Sequence, residues 1–135
     1  PLVFDTADAQ GQPIYHTNVL MCIATQFALV ALDTLVDPKR AAEVRQRLEE
    51  TGREVLPITQ QQVADFAGNA IELSTPQGRV LALSARAAGS LTATQRQTIE
   101  RSAKLLPLDV PTIELAGGSV RCMLAGVHLA PRRPV

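Results

Sequence analysis

The feature that most restricts the fold of this chain is a repeat. Two strands, a helix and a returning strand recur with a period of about fifty residues, the range of arrays and propellers. In the first cycle, residues 18–24 (NVLMCIA) and 27–32 (FALVAL) are apolar runs rich in β-formers and predict buried strands, parted by Thr25 and Gln26. Asp37 and Pro38 then supply an N-cap and a proline at the first helical position. Ala41, Val44 and Leu48 mark one helix face, Glu43 and Arg47 pair on another, and Gly52 is the stop. Residues 54–58 (EVLPI) predict a short strand, and Thr59 with Gln62 a capping box for a brief helix ending near Gly68.

The second cycle mirrors the first. Residues 69–73 (NAIEL) and 79–84 (RVLALS) flank a Thr75-Pro76-Gln77-Gly78 turn, a hairpin pattern. Thr92 and Gln95 cap another helix, with Ile99, Ala103 and Leu106 expected on its inner face. Residues 112–116 (TIELA) are expected as the returning strand, and residues 120–129 (VRCMLAGVHL) as the opening of a third cycle. The fold class is therefore α/β, with two strand-strand-helix-strand (ββαβ) units plus the first strand of a third. Residues 131–135 read as a frayed end.

Overlaying the cycles puts Asn18-Val19-Leu20, Asn69-Ala70-Ile71 and Cys122-Met123-Leu124 in register. Each polar or reactive residue stands at the start of its unit's first strand. Units arranged about a common axis would bring these strand mouths to one pocket, which is where function belongs.

Composition bounds the rest. The chain has 135 residues, 46% of them hydrophobic and 19% charged, as expected of one soluble globular unit with a real core. Thirteen basic residues balance thirteen acidic ones, which argues against nucleic acid and anionic membrane as partners. Aromatic residues are only 3%, too few for base-stacking platforms. No signal peptide, spanning helix, linker or low-complexity segment is present in the pattern. Two cysteines make no disulfide framework, so a reducing, cytoplasmic setting is the expectation. The two cysteines and two histidines show no metal-ligand spacing, and no cofactor is implied. The chain begins at Pro1 rather than Met, which points to further sequence upstream.

Chemistry concentrates in two segments. In Gly117-Gly118-Ser119-Val120-Arg121-Cys122-Met123 a cysteine follows a Gly-Gly-Ser turn and an arginine, at the mouth of an expected strand. Glycines let backbone approach a ligand closely, and a guanidinium beside a thiol favours the nucleophilic thiolate. Far upstream, Ile14-Tyr15-His16-Thr17-Asn18-Val19 places a histidine at the entrance to another apolar run. A cysteine and a histidine apart in sequence, each at a strand mouth, suit a thiol enzyme. Plainer roles stand beside these. Cys22, inside its apolar run, reads as an inert core residue kept out of the pocket, and His128 as structural. Arg121 could be an ordinary strand residue in an ion pair, Asn18 and Asn69 could satisfy turn backbone, and Gln60-Gln61-Gln62 reads as a polar helix start.

IYHTNV, FAGN and GGSVRCM, at these separations, resemble the guanidino-group-modifying superfamily, the pentein fold of arginine deiminases, dimethylarginine hydrolases and amidinotransferases. Within it the chain is most similar to the citrulline-utilising hydrolase branch, from about Leu2 to Leu129. The resemblance implies an α/β propeller of five ββαβ units. It makes residues 1–135 look like the C-terminal part of a single catalytic domain, to be completed by an upstream half or by another copy. It further implies Cys122 as nucleophile on the central carbon of a guanidino or ureido group, and His16 as acid and then base. Asn18, Asn69, Gly118, Ser119 and Arg121 would contact substrate, with backbone N–H groups of residues 117–119 stabilising developing charge.

Two departures from the family pattern bear on substrate. Better-known guanidinium hydrolases carry an aspartate two residues after this histidine, where Asn18 stands here. A neutral amide cannot compensate a buried guanidinium, but it can donate to a ureido oxygen, which tilts the expectation from arginine toward citrulline. The acidic partner of His16 has no matching motif and is expected upstream of Pro1; Glu72 and Glu114 read as structural, mid-strand charges. A small-molecule hydrolase is the leading class. An amidinotransferase, or a non-catalytic binding module if the chain is complete, are the alternatives.

Overall fold

The computed structural model describes residues 1–127 and 130. The first unit begins with a single helical turn, α1 (Thr17–Leu20), that runs directly into β1 (Met21–Ile23). β1 pairs antiparallel with β2 (Phe27–Val30), with Cys22 opposite Leu29. β3 (Glu54–Pro57) lies parallel to β2, with Leu29 opposite Leu56. A parallel pair needs a crossover, and α2 (Pro38–Glu50) supplies it. The Asp37 carboxylate caps α2 by accepting from the Lys39 N–H, Pro38 occupies the first turn, and Val44 and Leu48 are buried. Gly52, at φ +81°, takes the left-handed conformation that ends it.

The second unit repeats this order. β4 (Ile71–Thr75) and β5 (Gly78–Ser84) form the hairpin, and β6 (Lys104–Leu108) returns parallel to β5. The crossover is split into α4 (Ala85–Ser90) and α5 (Ala93–Glu100). Ser84, the last residue of β5, caps α4 by accepting from the Ala87 N–H. Each unit is one three-stranded sheet, ordered β1-β2-β3 and β4-β5-β6. A short helix between the units, α3 (Gln60–Ala64), carries the expected capping box of Thr59 and Gln62.

The two sheets share one core. Leu20, Phe27, Leu29 and Leu56 from the first unit pack with Leu81, Leu83 and Ile99 from the second. A second cluster lies under α2, where Ala28, Val30 and Val55 meet Val44 and Leu48. β2 is thus buried on both faces, which explains its unbroken apolar run.

Gln62 is more than a polar helix start. It is 7% exposed and Gln95 is 9% exposed, and their side chains face each other. The Gln62 amide donates to Gln95 Oε1 at 2.8 Å and to the Ser90 carbonyl at 2.9 Å, while Gln95 donates to the Pro57 carbonyl at 2.7 Å. Two local capping residues therefore also tie the units together, with their buried polar groups satisfied.

Several sequence-based boundaries move. Residues 18–20 are helical, not strand, because Leu20 reaches the core from one turn as well as a strand residue would; an apolar run alone does not separate the two. Asn69 precedes β4 instead of opening it. The returning strand is β6, and Leu106 lies on it, 41% exposed, and not on a helix face. β6 is an edge strand, the position in a sheet where Pro107 is tolerated. The expected strand at residues 112–116 is instead α6 (Pro111–Leu115), with proline at its first turn, so Glu114 is helical. Residues 120–123 form a 3₁₀ turn, so Cys122 does not sit at a strand mouth and no third-unit strand occurs among the described residues. His128, Leu129 and the 131–135 tail lie outside the described residues.

Candidate functional site

Cys122 is held by a turn that is rigid beneath it and open above it. Gly117 bends the chain after α6 at φ +85°, and Ser119 and Val120 are fully buried while Cys122 is exposed. The Cys122 N–H donates to the Ser119 carbonyl at 3.0 Å, closing the 3₁₀ turn (Val120–Met123). Ser119 Oγ in turn donates to the Glu114 carboxylate at 3.4 Å. Gly118 packs under the cysteine: a Cβ there would stand 3.5 Å from Cys122 Cβ and 3.8 Å from Sγ.

The three positions set in register by the repeat meet in space. The Asn69 side-chain nitrogen lies 3.1 Å from Cys122 Sγ and the Asn18 side-chain nitrogen 3.8 Å from it. Asn69 also donates to the Asn18 carbonyl at 3.0 Å, and its Oδ1 accepts from the Arg121 N–H at 3.0 Å. One buried amide thus links all three positions. Gly68 makes this approach possible, since a Cβ there would stand 2.4 Å from the Val19 carbonyl oxygen.

His16 is exposed and N-caps α1, its carbonyl accepting from the Val19 N–H at 3.0 Å. It stands two residues from Asn18, and its ring makes no hydrogen bond among the described residues. The Arg121 guanidinium donates to the Leu124 carbonyl at 3.0 Å and makes no hydrogen bond to the sulfur among the described residues. The expectation that backbone N–H groups of residues 117–119 stabilise developing charge also narrows. The Gly117 and Gly118 N–H groups donate to the Glu114 and Ile113 carbonyls at the end of α6, which leaves Ser119 as the one with no such partner.

Two cavities flank this cluster. The larger, about 460 Å³, is lined by Asp8, Ile14, Val19, Phe66, Asn69 and Gly117 among others. The smaller, about 340 Å³, is lined by Thr17, Asn18, Ala70, Arg121 and also Cys22. Cys22 therefore borders the neighbourhood it was expected to avoid. It is nevertheless 4% exposed, and its thiol is pushed up to about 12 by burial first and the Glu72 carboxylate second, against a smaller opposing pull from Arg121. Glu72 is itself held by Thr25, whose hydroxyl donates to it at 2.5 Å. Among the described residues no group of three His, Cys, Asp or Glu is placed to hold a metal ion, and no helix is long and apolar enough to cross a membrane.

Comparison with known proteins agrees with this architecture. Residues 1–129 match the family model of eukaryotic N,N dimethylarginine dimethylhydrolases. No curated protein sequence matches significantly. Among solved structures, the chain is similar to apo ArgZ, an arginine dihydrolase from the ornithine-ammonia cycle in cyanobacteria, with a TM-score of 0.63 and 15% identity over 87% of this chain. The N-terminal domain of ArgZ bound to product aligns with a TM-score of 0.61 and 15% identity over 81% of this chain. A variant of that domain covalently bound to a reaction intermediate aligns equally well. The chain spans only 17% of the first of these structures and 36% of the other two. At that identity the structures speak for the fold, and the family rests on the match across nearly the whole chain: this protein belongs to the eukaryotic N,N dimethylarginine dimethylhydrolase family, within the guanidino-group-modifying pentein superfamily.

Proposed function

We propose that the chain carries the nucleophile of a cysteine-dependent hydrolase acting on carbon–nitrogen bonds of a guanidino or ureido amino acid. The observation that carries this reading is the Asn69 amide 3.1 Å from Cys122 Sγ on an exposed turn. An amide donor at that distance orients the sulfur toward the open face of the turn, as a positioned nucleophile requires. The Cys122 thiolate attacks the central carbon and a tetrahedral adduct forms. His16 gives a proton to the leaving nitrogen, which departs as ammonia or an amine and leaves the carbon bonded to sulfur. Water, deprotonated by the same imidazole, then adds to that carbon and the C–S bond breaks, returning the thiolate. The Ser119 N–H, Gly118 and Arg121 border the reacting centre.

Asn18 is the substrate-facing group in this reading. Its neutral amide donates to a ureido oxygen and accepts from an NH₂, which supports citrulline-like substrates beside the guanidino substrates of the family. The acidic partner of His16 comes from sequence beyond this chain, so residues 1–135 form the C-terminal part of a catalytic domain, two units of a five-unit propeller. That arrangement is supported by apolar side chains near the site left open, Tyr15 at 86% and Leu115 at 90% exposure, which an upstream half or a second copy would cover. A cytoplasmic setting follows from the two free thiols.

The test is to incubate the full-length protein with arginine, dimethylarginine and citrulline, measure ammonia, dimethylamine and ornithine, and trap the adduct by mass spectrometry. An adduct on Cys122 with product release supports the hydrolase. Product that forms only when an amine is added identifies an amidinotransferase, and an adduct on Cys22 overturns the assignment.

A further inference from the structure

Asn69 has no side-chain N–H left to donate to a substrate. Its side-chain nitrogen has two hydrogens, one directed at the Asn18 carbonyl (3.0 Å) and the other at Cys122 Sγ (3.1 Å). Its Oδ1 accepts from the Arg121 N–H at 3.0 Å, which also fixes which end of the amide is nitrogen, since the flipped form would set N–H against N–H. The residue is 3% exposed. Its backbone is pinned as well: the Asn69 N–H donates to the Phe66 carbonyl at 2.9 Å, and Phe66 holds the left-handed conformation at φ +63°. Gly68, next to it, lies against the α1 backbone. Asn18 differs on each count. It is only half-buried, its nitrogen is 3.8 Å from the sulfur, and its Oδ1 accepts no hydrogen bond among the described residues.

We infer that Asn69 is not a substrate contact but the positioning residue that aims the Cys122 sulfur through its side-chain N–H, leaving Asn18 to meet substrate. This rests on Cys122 being the nucleophile. The amide, and not the Arg121 guanidinium, which donates to the Leu124 carbonyl, is the group hydrogen-bonded to the sulfur. The ionisable residues on the elements that meet at the turn are His16 before α1, Glu114 of α6, Arg79 of β5 with its ion-pair partner Glu72 of β4, and Arg121 itself. None of them donates to the sulfur in a hydrogen bond. A neutral donor lets the enzyme keep a reactive sulfur without placing a second cation beside a cationic substrate.

The experiment measures iodoacetamide alkylation of Cys122 against pH in the full-length protein, read site by site by mass spectrometry, with turnover in parallel. Asn69→Asp keeps an acceptor for the Arg121 N–H but cannot donate to sulfur. It is expected to slow alkylation roughly tenfold to hundredfold at neutrality, and to lower kcat with KM little changed. Asn18→Ala is expected to raise KM and leave alkylation in place. Alkylation of Asn69→Asp that superimposes on the wild type overturns the inference. Should Asn69→Asp fail to fold, the side-chain amide resonances of Asn69 in Cys122→Ala decide: one of the two protons shifts, and neither shifting overturns it. Full activity in Cys122→Ser would instead remove the nucleophile assignment on which the inference stands.

Discussion

Cys22 and Cys122 carry the same side chain into opposite surroundings. Cys22 lies on β1 opposite Leu29, enclosed by the core between the two sheets, with the Glu72 carboxylate near enough to oppose ionisation. Cys122 is exposed on a 3₁₀ turn, with the amide nitrogens of Asn69 and Asn18 within 3.1 and 3.8 Å of its sulfur. Burial next to an acid opposes ionisation of one thiol, while the other is exposed beside amide donors, the setting that the proposed nucleophile needs. The two environments nearly touch, since Cys22, Asn18 and Arg121 line the same small cavity. A few ångströms of neighbouring structure separate a buried thiol from an exposed one.

The sharpest test of that contrast is a pair of substitutions. Cys122→Ser is expected to abolish turnover in the full-length protein while the fold survives, because a hydroxyl cannot supply the nucleophile at neutral pH. Cys22→Ala should keep turnover and lose only about 1 kcal/mol of stability, the scale of a small core truncation. Steady-state assays with thermal melts read both, and the contrast fails if Cys22→Ala is the inactive one.

His16→Ala is expected to slow turnover by about 10²–10⁴-fold through loss of acid–base catalysis. Cys122 should remain alkylatable, because its contacts run to the asparagines and not to the imidazole ring. Loss of alkylation together with turnover would mean that the histidine, not the amides, prepares the sulfur.

Asn18→Asp should give a smaller effect, a change in preference from ureido toward guanidino substrates as a carboxylate arrives beside the cation. Competition between citrulline and arginine measures the ratio directly. An unchanged ratio would detach Asn18 from specificity.

The least conspicuous effect belongs to Cys22 alone. Its thiol is raised from 9.0 to about 12 in the fold, so the neutral form is the one the fold accepts. A raised group contributes stability that is fully present below its unfolded value and is lost as pH climbs toward the folded one. Denaturant midpoints should therefore fall between about pH 9 and 12, at up to about 1.4 kcal/mol per pH unit, and Cys22→Ala should flatten that slope. An equal slope in both proteins would assign the alkaline loss to other groups.

The parts of the fold legible in the sequence are those satisfied within a few residues. Asp37 capping the Lys39 N–H, the Thr59–Gln62 and Thr92–Gln95 boxes and the hairpin across Pro76 and Gln77 each close locally, so residue identity was enough. The order of the two units could be read for the same reason, from the spacing of those signals. The last third was misread where local pattern had competitors. Residues 112–116 alternate like a strand, yet Pro111 starts a helix, and the true returning strand carries Pro107, which only its place at a sheet edge allows.

The candidate site divides along the same line. The sequence by itself lined up Asn18, Asn69 and Cys122 through the spacing of its motifs, although the structure sets them in a helical turn, a loop before β4 and a 3₁₀ turn, not at three equivalent strand mouths. It could not say that one of these amides is spent on the sulfur of a residue fifty-three positions away while the other stays free. Nor could it say that Arg121 would turn to Leu124, or that Gln62 would find Gln95. Hydrogen bonds across such separations depend on how closely two units pack, down to the 2.4 Å that excludes a Cβ at Gly68. That distance belongs to the packed core between the sheets, and only the tertiary structure decided it.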